Sequence, residues 1–186
     1  MTTPESRQSA SIGRRSIPTG AVEGRRRLAD GASVRMIELV PAQENGKGSI
    51  LFMPGRGDFY EKYLETLEHW CLSGWRVGAA DWRGQALSGR LGADDATGHV
   101  DDFGIWVQDL AEIWEHWRAS GSGPYILAGH SMGGHIVLRA VAEGAVCPDA
   151  VILSAPMLGL RPAIMPSWLL HGFARLMARL GDPRRP

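Results

Sequence analysis

The chain reads as an α/β protein built on a mostly parallel sheet with helices on both faces. Short apolar runs alternate with segments of helical periodicity, which is the pattern of strand–helix–strand units. Gly, Pro or Asp punctuates almost every change from one to the other. A length of 186 residues, 44% hydrophobic and 22% charged, is enough to bury a substantial core.

Taken in order, residues 1–24 are rich in Ser, Arg, Thr and Gly without periodicity, so a flexible N-terminus is expected, with at most a short extended piece. The first thirty residues hold six arginines and no apolar run of signal-peptide length, so no export signal is expected. Arg26–Leu28 and Val34–Leu39 flank Ala29-Asp30-Gly31-Ala32, whose Asp-Gly step predicts a hairpin of two antiparallel strands. After a polar loop, Ser49–Met53 reads as a buried strand ended by Pro54-Gly55-Arg56-Gly57. The spacing of Tyr63, Leu64, Leu67 and Cys71 predicts a helix over Tyr60–Leu72, stopped by Gly74. Arg76–Ala80 is a further strand that leaves through the turn Asp81-Trp82-Arg83-Gly84.

Asp102 is placed to cap a long helix with Phe103, Trp106, Leu110, Ile113, Trp114 and Trp117 on its apolar face, aromatics read as core. Pro124–Ala128 is a strand, Met132–Glu143 a helix and Ala150–Ser154 a strand again. From Pro156 the composition changes, with five prolines and no acidic residue before Asp182. Within it Leu169, Phe173, Leu176, Met177 and Leu180 form a helical stripe with Arg175 and Arg179 off it. That stripe is expected to pack on the same chain, with peripheral contact at a membrane surface as the alternative. The expected organisation is one core over 25–156, a tail over 1–24 and a distinct segment over 157–186.

Composition excludes several functions. Twenty Lys and Arg balance twenty Asp and Glu, so the basic footprint of a nucleic-acid partner is absent. Cys71 and Cys147 are too few for a disulfide framework and lack zinc-ligand spacing, which points to a reducing, cytoplasmic compartment and two core fillers. The most apolar stretch, Ala163–Leu180, is interrupted by Pro166, His171, Arg175 and Arg179 and is not expected to span a membrane. No metal or organic cofactor is implied.

The strongest chemical signal is Gly129-His130-Ser131-Met132-Gly133, because G-x-S-x-G here follows a strand and opens a helix. A sharp turn of that kind forces its serine into a strained backbone conformation, and flanking glycines remove the Cβ atoms that would clash. The following helix aims N–H groups and the positive end of its dipole at the point where an oxyanion would form. Ser131 is the candidate nucleophile, and the Met132 N–H the first oxyanion donor. The glycine-rich loop Pro54–Gly57 offers a second donor.

GHSMGG at 129–134, PGRGDFYEKY at 54–63, DWRGQALS at 81–88 and GHVDDF at 98–103 together resemble the lysophospholipase and monoacylglycerol lipase-like branch of the α/β-hydrolases, related to the serine aminopeptidases. The resemblance implies an α/β-hydrolase fold and a serine hydrolase acting on a small-molecule or lipid ester. It makes Ser131 the nucleophile of an acyl-enzyme, with the backbone N–H groups of Arg56 and Met132 as oxyanion hole. Relatives often carry His-Gly where this chain has Pro54-Gly55, and glycine where it has Ala86. An aminopeptidase or small-ester hydrolase of the same fold is the near alternative. The Arg56 side chain is expected to face solvent. Asp81, Asp101 and Asp102 read as turn and cap residues, and His99 as a structural hydrogen-bonding residue.

In this family the triad Asp and His follow later strands, in the order Ser, Asp or Glu, His. Here only six strands are predicted; Asp149 and Asp182 follow no seventh strand, and His171 falls inside the last helix. The expectation is a hydrolase core cut after six strands, with 157–186 the start of a helical cap, nearly inactive alone and thus a fragment. A non-catalytic remnant of the same scaffold is the reading from a different class.

Overall fold

The computed structural model describes residues 16–42, 46–91, 99–159 and 166–181. Expectations for the rest of the N-terminal tail, for Gly98, for 160–165 at the start of the cap segment and for Asp182 lie outside them.

The elements are β1 (Val22–Arg27), β2 (Ser33–Leu39), β3 (Gly48–Met53), a 3-10 turn (Tyr60–Tyr63), α1 (Leu64–Leu72), β4 (Trp75–Ala80), α2 (Phe103–Ala119), β5 (Tyr125–His130), α3 (Met132–Ala142), β6 (Ala150–Ser154) and α4 (Ser167–Leu180). They form a six-stranded sheet in the order β1-β2-β4-β3-β5-β6, antiparallel at the first two pairings and parallel at the rest. All six residues of β3 are buried, as a central strand covered on both faces requires. One face packs Leu51, Met53 and Leu127 against Trp106, Leu110, Ile113, Trp114 and Trp117 of α2 and Met132, Ile136 and Val137 of α3. The other packs Ile50, Phe52 and Val77 against Tyr60, Leu64 and Leu67.

Three expectations are corrected. The β1 ladder begins at Val22, inside the segment expected to be flexible; its residues are almost all exposed, so no apolar signal announces it, and its ladder is formed with β2. The predicted helix over Tyr60–Leu72 divides into the 3-10 turn and α1, because the Asp81 carboxylate accepts the Tyr60 N–H at 3.0 Å and fixes the entry of the chain. The stripe of α4 is exposed rather than packed, with Leu169 at 42%, Phe173 at 57% and Leu180 at 77% accessibility. Helical periodicity shows that a face is apolar, not what it meets.

A buried ion network joins β1, β2, β4 and the 3-10 turn. Arg35 donates to both carboxylate oxygens of Glu61, at 2.6 and 2.7 Å, and twice to Oδ2 of Asp81, at 2.9 and 2.6 Å. Its guanidinium stacks over Tyr60, 4.1 Å from the ring centroid, while the Tyr60 hydroxyl donates to Glu23. Burial alone would lower the Arg35 pKa, but Glu61 and Asp81 outweigh it and hold the group charged. Asp81 is fully buried, so removing its partner strands a charge in the core. Arg35→Met is therefore expected to destabilise the fold by about 3–5 kcal/mol, read as a lowered midpoint in urea unfolding.

Candidate functional site

Strand β5 ends at His130 and α3 starts at Met132, leaving Ser131 alone to make the turn. Its backbone takes φ 52° and ψ −117°, a conformation that side-chain-bearing residues adopt only when the surroundings impose it. Three hydrogen bonds impose it here: the Ser131 N–H donates to the Ser154 carbonyl at 3.0 Å, and its carbonyl accepts from His135 at 3.1 Å and Met157 at 2.9 Å. Glycine is required on either side. A Cβ on Gly129 would lie 2.8 Å from the Gly133 backbone, and one on Gly133 would lie 2.3 Å from the Pro54 oxygen and 2.4 Å from the Met53 oxygen. The turn is thus packed backbone to backbone against the end of β3.

The loop leaving β3 is brought to the same point. A Cβ on Gly55 would fall 3.2 Å from the Ser131 Cβ, so the chain passes next to the serine there. Segment 81–88 holds the loop at three successive places. The Trp82 indole donates to the Pro54 carbonyl at 2.7 Å, Gln85 Oε1 accepts the Gly57 N–H at 2.6 Å and Asp81 accepts the Tyr60 N–H. Gln85 is 3% exposed, and the neighbouring Ala86 takes φ 47°. Among the described residues the backbone N–H groups of Arg56 and Met132 meet no acceptor.

Arg56 and Met132 line one cleft of about 160 Å³ with His99, Val100, Phe103 and Trp106. On the other side His130 lines a second, largely apolar cleft of about 230 Å³ with Phe52, Tyr63, Trp70 and Ile152. The two neighbours of Ser131 therefore face two different recesses. Beside Gly55, Asp58 accepts from the Tyr63 hydroxyl at 2.7 Å and from Lys62. Burial pushes its carboxyl up, but those two donors outweigh it and hold the group below the usual carboxylate range.

The sequence-predicted Ser131, Arg56 and Met132 are brought together, and the Arg56 side chain is exposed. Asp102 caps α2 by accepting the Gly104 N–H at 2.6 Å, and His99 Nε2 lies 2.9 Å from Asp101. Asp81, read as a turn residue, is instead the buried partner of Arg35. The sequence alone assigns no role to Trp82 or Gln85; their position inside the DWRGQALS motif is the one signal that marks them. Among the described residues no histidine hydrogen-bonds the Ser131 hydroxyl. The arrangement is a strained serine in a turn beside two backbone N–H groups, those of Arg56 and Met132, that meet no acceptor among the described residues; open donors of this kind can stabilise negative charge on an oxygen bound to them.

The serine aminopeptidase, S33 family matches residues 44–185. Lysophospholipase L2 of Escherichia coli K12 is 42% identical over 132 residues, 66% of this chain and 37% of the relative. The chain thus spans well under half the length of that curated relative. A soluble variant of monoglyceride lipase from Saccharomyces cerevisiae, solved with a substrate analog, superposes with a TM-score of 0.66 at 24% identity, covering 90% of this chain and 54% of that one. A thermostable carboxyl esterase from Bacillus coagulans gives 0.63 at 20% identity, covering 88% and 52%. Both share the fold.

Trp82→Phe keeps an aromatic ring in place but leaves the buried Pro54 carbonyl without its donor. It is expected to cost about 1–3 kcal/mol and to raise amide hydrogen exchange across residues 54–57. Urea unfolding and exchange mass spectrometry check the two effects.

Proposed function

Because the chain belongs to the serine aminopeptidase, S33 family of α/β-hydrolases, we propose that it carries the nucleophile half of a serine hydrolase of carboxylic esters, of lysophospholipase or monoacylglycerol lipase type. The observation that carries this reading is the Ser131 turn: a strained, glycine-flanked serine beside two backbone N–H groups without acceptors. In the proposed reaction Ser131 Oγ attacks the ester carbonyl carbon while a general base takes its proton. The carbonyl oxygen, now negative, receives the N–H groups of Arg56 and Met132. The proton passes to the leaving alcohol, and water then releases the acyl group by the same steps in reverse roles.

The reading requires a base and an orienting carboxylate from outside the described residues. A protein of the curated relative's length would have room for both. In the same reading 25–156 is the hydrolase core and α4 opens the cap, its exposed apolar stripe turned to an acyl chain. An acyl substrate suits that stripe better than a free amino-acyl one. Comparing kcat/KM for lysophospholipid or acylglycerol with that for amino-acyl substrates in the enzyme from its native source separates the lipase reading from the aminopeptidase one.

Labelling of the native source with a fluorophosphonate probe tests the chemistry. The expected adduct lies on the Ser131 peptide and disappears in Ser131→Ala. Arg56→Pro removes the backbone donor together with the side chain and should slow labelling about 10²- to 10³-fold, the effect of losing one oxyanion donor elsewhere. Arg56→Ala, which keeps the N–H, should stay within a few-fold of the parent. Undiminished labelling of Ser131→Ala, or none of the parent, would overturn the proposal.

A further inference from the structure

Among the described residues, three buried side-chain N–H groups have no hydrogen-bond partner: Arg26 Nε, Trp114 Nε1 and Trp117 Nε1. Two of them belong to residues that line one cleft of about 200 Å³ between β1, β2, the start of β4 and the end of α2. An unpaired buried donor is costly and calls for an acceptor. Trp117 is 2% exposed, so its indole N–H is withheld from bulk solvent.

The charges around the cleft are arranged around the same deficit. Arg76 uses three of its five N–H groups: Nε donates to Glu38 at 2.6 Å, Nη1 to the Trp117 carbonyl at 3.0 Å and Nη2 to Ser120 Oγ at 2.9 Å. It therefore neutralises Glu38, the one carboxylate of the lining, and caps a carbonyl at the negative end of α2. What remains is cationic. Of the arginines that are buried or half-buried among the described residues, Arg35, Arg76, Arg83 and Arg139 each pair with a carboxylate. Arg26 does not. Beside it, burial together with Arg26 and Arg76 holds the His116 pKa below its ordinary value against the opposing pull of Glu38.

We propose that this cleft binds a small oxyanion, a carboxylate or phosphate group, between the Arg26 guanidinium and the Trp117 indole N–H. A guanidinium edge presents parallel donors that match two oxygens of such an anion, and the indole supplies a third. A water molecule could accept from both groups but would leave the Arg26 charge uncompensated. The site lies on the β1 side of the sheet, and β2, β4 and β3 stand between β1 and the strand β5 that leads to Ser131. It does not depend on the proposed hydrolase chemistry.

The test is a titration of the whole 15N-labelled chain with inorganic phosphate and, separately, acetate, each against sodium chloride at equal ionic strength. The Trp117 indole resonance is assigned from Trp117→Phe. The expected result is a saturable shift of that indole signal, with the His116 titration moved up toward its ordinary value. Arg26→Met should weaken binding at least tenfold, while Ser131→Ala should leave it unchanged. A response to acetate alone assigns the site to carboxylates, and one to phosphate alone to phosphates. If Arg26→Met fails to fold, Arg26→Lys keeps the charge without the paired donors and should bind several-fold more weakly. No saturable shift with either anion, the same shift with chloride, or undiminished binding in the folded Arg26 variant would overturn the proposal.

Discussion

The close approach of Gly133 to the carbonyl oxygens of Met53 and Pro54 is the constraint on which the rest of this structure turns. It seats the first turn of α3 directly on the end of β3, with no side chain between them. Two consequences follow from that one contact. The serine before α3 must complete its reversal in a single residue, and the loop after β3 must pass beside it. The helix–sheet core below makes the approach rigid, since Met132, Ile136 and Val137 share one packed cluster with Leu51 and Met53. A side chain at position 133 would have to displace the backbone at Met53 and Pro54.

Strain is concentrated around this point. The described residues other than glycine with positive φ are Ala86, Ser131 and Ala155. Ser131 makes the turn itself. Ala155 follows Ser154, whose carbonyl receives the Ser131 N–H, and Ala86 follows Gln85, which holds the Gly57 N–H. All three lie in the turn or in the two segments that hold its surroundings. Conformations of this kind persist only where neighbouring contacts over-determine them. The hydrogen bonds of Trp82, Gln85 and Ser154 supply that excess. The φ of Ala86 also gives a physical reason for the glycine that the resembling family often carries there.

How much of this was legible in the sequence follows the range of the interactions. Elements defined by their own periodicity were read with nearly correct bounds: α2 from Phe103 with its Asp102 cap, α3 from Met132, and β3, β4 and β5 from their apolar runs. The serine turn was legible because its requirement for glycine is local. Interactions that depend on distant segments were not. Strand β1 carries no apolar pattern and exists through its partner β2. The roles of Asp81, Trp82 and Gln85 arise only when segment 81–88 lies against the loop after β3, and nothing in a turn-like DWRG announces a buried carboxylate. The two donors of the Arg26 cleft come from β1 and α2, which are far apart in the chain.

The exposed apolar surface is distributed less evenly than the charge. It collects on β6, where Val151 and Ile152 are 38% and 42% accessible, and on α4. Strand β6 is the edge of the sheet, and its last residue, Ser154, is the one that receives the Ser131 N–H. Immediately beyond it Met157 returns an N–H to the Ser131 carbonyl. Two of the three hydrogen bonds that impose the serine's conformation therefore come from an edge strand and the few residues after it. An edge strand has one neighbour to order it instead of two. The order of the serine turn is bound on one side to the backbone contact of Gly133 with the end of β3, and on the other to an edge strand. Any contact that covers β6 would act on Ser131 through Ser154 and Met157, without touching the serine itself.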